Sequence, residues 1–102
     1  LGNADVLSRT FQLRTGSGKT EELILKFDEP FEVDEGVWSI RCVLDAPSWK
    51  KSVTFHGVDS IQALTIGLKA IPSFFESICR ERGWQIWFLE EHDVFSDRFW
   101  LV

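Results

Sequence analysis

The chain has 102 residues, 44% hydrophobic and 26% charged, with Phe and Trp as its only aromatics. That bounds it to a single domain (1–102) with one core and excludes a disordered chain. A formal net charge of −5 excludes the basic face that nucleic-acid binding needs, because only Lys50-Lys51 and Arg80/Arg82 concentrate positive charge.

No apolar run reaches the roughly 18 residues of a membrane span, and the opening residues lack a signal-peptide pattern. Leu1 stands where an initiator Met would, so the first residues read as added or trimmed and a lost leader stays open. The expectation is a cytoplasmic protein. Cys42 and Cys79 are too few for a disulfide scaffold and read as packed thiols.

Residues 6–14 set Leu7, Phe11 and Leu13 on one side of a strand, with Arg9 the exception. Thr15-Gly-Ser-Gly-Lys19 is a turn cluster. A second strand turns Leu23, Leu25 and Phe27 one way and Ile24 the other. Asp28 to Gly36 reads as a loop whose acids are solvated, and Pro30 confines any strand there to an edge or a bulge. Trp38, Ile40, Cys42 and Leu44 then alternate with Val37, Ser39, Arg41 and Val43, the clearest strand in the chain. Asp45-Ala-Pro-Ser48 breaks it in hairpin fashion, and Trp49, Lys51, Val53 and Phe55 alternate again.

At Gly57-Val-Asp-Ser-Ile-Gln-Ala-Leu64 the apolar period changes from two to three or four. Asp59 suits an N-cap with Gln62 at N3, and Val58 can staple onto Ala63. Ile61, Leu64, Leu68, Ile71, Phe75 and Ile78 form one helical stripe. Gly67 lets the backbone approach the sheet, and Gly83 ends the helix. Pro72 predicts a kink, or two helices meeting there. Trp84 to Leu89 is apolar on both faces, as in a central or doubly covered strand. Glu90-Glu-His-Asp93 is a polar turn, and 95–102 a last strand.

The predicted fold is therefore α+β: an antiparallel β-meander of five to six strands, one face packed by a long, Pro-kinked helix. The expected core holds Trp38, Ile40, Leu44, Val53, Phe55, Ile61, Leu64, Leu68, Ile71 and Phe75.

The candidate chemistry thins out on inspection. Gly16-Ser-Gly-Lys-Thr20 looks like the end of a phosphate loop, but Leu13 stands where its first Gly belongs and a strand follows instead of a helix. Glu90, Glu91, His92 and Asp93 are adjacent on an extended turn, where ligands diverge, so no metal or cofactor is assigned. Cys79 borders the apolar stripe, and Ser60 sits at a helix start; neither has a base assigned to it, so no catalytic residue is named. Five tryptophans overfill so small a core, and Trp49, Trp87 and Trp100 are the candidate interface anchors.

The motif Gly57-Val-Asp-Ser-Ile-Gln-Ala-Leu64, with Gly67-Leu68 behind it, resembles the G-x-D-S-hydrophobic-Q-A-L signature of a bacterial family of small uncharacterised proteins. The likeness covers about residues 37–90. It implies a bacterial, cytosolic protein and assigns no activity. The leading expectation is a non-enzymatic protein-binding module, in one form an immunity protein neutralising a toxin, with a basic protein partner or a second copy. Its rivals are a small-ligand binder or enzyme with a pocket between helix and sheet near Pro72, using His56 and Cys79, and a self-associating structural domain.

Overall fold

The structure is a computed structural model describing residues 7–88. Its elements are β1 (Leu7–Arg14), β2 (Thr20–Phe27), β3 (Phe31–Asp34), β4 (Val37–Ala46), β5 (Trp49–Gly57), α1 (Ser60–Arg82) and β6 (Gln85–Trp87). The strands make one antiparallel sheet and α1 packs on it, which is the expected α+β fold.

The strand β4 is the hub. Along one edge, Trp38 to Ala46 pair with β5. Its other edge is shared: β2 pairs with Cys42 to Asp45, and β3 with Val37 to Ser39. The strands β2 and β3 therefore lie in line, and β1 and then β6 follow beyond β2. The stretch read as a loop contains β3, a short bulged strand after Pro30. Among the described residues β6 pairs only with β1, and Ile86 and Trp87 on its two faces are both buried, as expected of a strand covered on both sides.

Alternation sends Phe11, Leu13, Leu23, Leu25, Phe27, Ile40, Cys42 and Leu44 into the core beneath the helix. Trp38, Val53 and Phe55, also expected there, are half-buried at its margin. The helix is continuous, with Pro72 inside it, so the two-helix alternative does not hold. Its buried face is Ala63, Gly67, Ile71, Phe75 and Ile78. Ile61, expected in the core, is 75% exposed, and Leu64 and Leu68 are half-buried.

The reason is close approach. A Cβ on Gly67 would lie 2.9 Å from the Phe27 ring and 3.0 Å from the Phe55 ring. The helix comes down on its smallest side chains, and that rotation lifts Ile61 into solvent. Its start is fixed by Asp59, whose Oδ1 accepts from the Gln62 N–H at 2.7 Å, while Gln62 Oε1 accepts from the Val58 N–H at 2.8 Å. Val58 is 66% exposed and forms no staple; Gly57 lies against Ala63 instead. At the other end the Gly83 N–H donates to the Cys79 carbonyl at 2.8 Å. Among the described residues no helix is long and apolar enough to cross a membrane.

The expected Glu90–Asp93 turn and the strand over 95–102 lie outside the described residues.

Candidate functional site

Residues named from the sequence do not gather. Trp49 is half-buried against the core. Trp87, proposed as an exposed anchor, is 7% exposed, with the Arg14 guanidinium 5.1 Å from its ring centroid. Trp100 lies outside the described residues. Trp38 and Trp84 also pack on the core, and Arg82 stands 5.0 Å over the Trp84 ring. Cations similarly cover marginal Phe rings: Arg9 lies 4.5 Å over Phe88 and Lys51 5.3 Å over Phe74.

His56 and Cys79 lie apart. Phe55 faces α1, so His56, one residue on, points to the opposite face of the sheet. There its Nδ1 is 2.7 Å from the hydroxyl of Ser39, which is fully buried. Cys79 is on the helix, on the other side. Both thiols are held protonated. Burial, assisted by the charge of Asp28, pushes Cys42 up to about 12. Burial also raises Cys79, with a backbone hydrogen bond from Ile86 acting the other way. The Thr15–Lys19 segment is a hairpin turn, closed by Thr15 N–H to Lys19 carbonyl at 2.9 Å and continued by a strand. Among the described residues no three His, Cys, Asp or Glu side chains converge as metal ligands.

The exposed apolar side chains concentrate elsewhere. Phe31 (48% exposed), Val33 (52%) and Val37 (40%) occupy the β3–β4 hairpin. Phe31 is opposite Ser39 and so shares a sheet face with Val37, two residues along β4. The β4–β5 ladder ends at Trp38 opposite Gly57; the exposed Val58 follows in the chain, and the exposed Ile61 lies on α1, on the other side of the sheet from Phe31 and Val37.

This segment is also acidic. Glu29, Glu32, Asp34 and Glu35 form no ion pair among the described residues. Elsewhere some charges pair: Asp45 lies 3.8 Å from Lys26 and 3.7 Å from Lys50, Arg41 is 3.9 Å from Asp28, and Arg80 pairs with Glu76. The sequence signal for the corner was present as Phe-Glu-Val-Asp alternation within an acidic stretch, masked by its shortness and by Pro30.

A domain of unknown function, DUF6968, matches residues 7–95. The chain belongs to this family. No curated protein and no solved structure matches the chain. The DUF6968 span starts at β1, well before the 37–90 stretch that carries the motif likeness, and so takes in the β3 corner as well as the helix.

Proposed function

We propose that this DUF6968 domain is a non-enzymatic protein-binding module whose contact surface is the β3 corner. The observation that carries this reading is the grouping of exposed Phe31, Val33 and Val37 on the β3–β4 hairpin, beside Glu29, Glu32, Asp34 and Glu35, which form no ion pair among the described residues. A large apolar group exposed at one place is the usual mark of a docking surface. Uncompensated acid around it selects a basic protein and speeds encounter. Neutralising a basic toxin in a bacterial cytoplasm is one concrete form of that role. Nucleophilic catalysis is the weaker reading, because both thiols are biased toward the protonated form and the hydroxyl beside His56 is sealed from solvent.

The test is affinity capture from the native cell with the intact chain and with Phe31→Ser/Val37→Ser. A stoichiometric basic partner should be retained by the first and lost by the second, and should elute as salt rises. Equal retention by both proteins removes the corner from the binding surface. Absence of any stoichiometric partner removes the reading itself.

A further inference from the structure

We infer that β5 is a self-docking edge: two copies of this chain pair their β5 strands antiparallel about a two-fold axis at Val53, joining their sheets into one. This goes beyond the protein-binding reading, which concerns β3 on the other edge of β4.

The edge is long, regular and set within the described chain. Its 9 residues, Trp49 to Gly57, pair with β4 without a break in register, and among the described residues with nothing else. Both ends of β5 lead into described segments, the turn from β4 and the start of α1, whereas the described residues begin at β1 and end after β6, on the far side of the sheet. The turn after Ala46 is tight, so Ala46–Trp49 is a bonded pair, and bonded and unbonded pairs alternate from there. Lys50, Ser52, Thr54 and His56 therefore turn their backbone N–H and C=O outward, and all four are exposed. Lysines on an edge usually guard it. Here both are drawn inward: Lys50 Nζ lies 3.7 Å from Asp45 on β4, and Lys51 Nζ lies 5.3 Å from the centroid of the Phe74 ring on α1.

The strand's own sequence makes a second copy the occupant. Val53 is its middle residue, so a two-fold axis there pairs the whole strand. That register sets Val53 against Val53, Ser52 against Thr54, Lys51 against Phe55, Lys50 against His56, and Trp49 against Gly57, which presents no side chain. Apolar meets apolar, hydroxyl meets hydroxyl, a lysine meets a ring, and no two lysines are directly opposed. An unrelated strand would have to reproduce this two-fold pattern; the copy already has it. Above the edge, Ile66, Ala70, Ser73 and Ser77 fall at helical spacing on the flank of α1 that carries Phe74, and Ile66 is 42% exposed. None of the four is charged, so a second helix can approach there without burying an ion.

The test is sedimentation of the intact 102-residue chain over a range of concentration and salt. Each copy carries a formal net charge of −5, so screening should tighten the dimer as salt rises, the reverse of what a basic partner would show. Amide exchange at Ser52 and Thr54 should slow as the dimer fills. The variant S52E/T54E sets like charges directly across the axis and should raise the dissociation constant by on the order of tenfold or more. S52K/T54K should do the same, and an equimolar mixture of the two variants should restore association. Both positions are exposed on the sheet face away from α1, and amide spectra report that each variant is folded. A chain that stays monomeric at millimolar concentration overturns the inference. So does a dimer that both variants leave unchanged, one that their mixture fails to restore, or one that rising salt dissolves.

Discussion

The carboxylate of Glu21 holds the β4–β5 turn: it accepts from the backbone N–H of Ser48 at 2.9 Å and from the Ser48 hydroxyl at 3.0 Å. Glu21 is 8% exposed, at the head of β2 and opposite Leu13, so a polar group has been placed on the core face. Both hydrogen bonds span 27 residues and tie one hairpin to the next. Glu21→Ala leaves both Ser48 donors without their acceptor and should cost about 1–3 kcal/mol in denaturant unfolding. Ser48→Ala removes only the hydroxyl bond and should cost less, about 0.5–1.5 kcal/mol. Equal effects would show that the backbone bond contributes nothing.

Two glycines set how closely α1 meets the sheet, and they should respond unequally to alanine. At Gly57 an added Cβ lies 2.5 Å from the backbone N of Ala63, where neither partner can turn aside. At Gly67 the obstacles are the Phe27 and Phe55 rings, and an alanine there also gains about 1 kcal/mol of helix propensity. Overpacking costs about 1–3 kcal/mol. Gly67→Ala should therefore be mildly destabilising, and Gly57→Ala should lie at or beyond the top of that range. Thermal midpoints in the reverse order would mean that the helix start is looser than its contacts show.

The strands were legible because a period of two is unambiguous where one face is buried, as at Ile40, Cys42 and Leu44 or Leu23, Leu25 and Phe27. The helix limits were legible from Asp59 and Gly83, whose capping chemistry is local. Its orientation was not. Hydrophobicity gives Ile61 a greater claim to the core than Ala63 or Gly67, but a helix closing on a sheet of Phe rings seats its smallest residues at the contact. Of the candidate surface, Trp49 is half-buried and Trp100 lies outside the described residues, but Trp87 is buried. Tryptophan suggested exposure, whereas Trp87 is buried with Arg14, from the far end of the chain, over its ring, a pairing that only the folded chain reveals.

That reassignment of the helix face has a direct consequence. Ile71 is fully buried and Ile61 is 75% exposed, although the sequence placed both in one stripe. Ile71→Ala should cost about 2–5 kcal/mol through lost transfer energy and a cavity. Ile61→Ala should stay within about 0.5 kcal/mol, as expected of an exposed position. Chemical unfolding of the two variants measures this; comparable losses would restore the original stripe.

Cys42 provides a solvent-access and pH test of the sheet–helix core. It is 2% exposed on the helix-facing side of β4, and its thiol is pushed up to about 12. In the unfolded chain the same thiol titrates near its ordinary value of about 8.5. The folded state therefore favours the protonated form. Its contribution to stability is fully present below about pH 8.5 and is lost as pH rises from there toward about 12. Cys79 acts in the same direction, since its thiol is also raised. Replacing Cys42 with Val should flatten the fall in stability between pH 8.5 and 10, relative to the parent, because Val has no proton to lose. A thiol reagent at pH 8 should leave Cys42 unmodified in the native protein, label Cys79 slowly, and label both after guanidinium unfolding. Rapid native labelling of Cys42 would show that water reaches the core beneath α1.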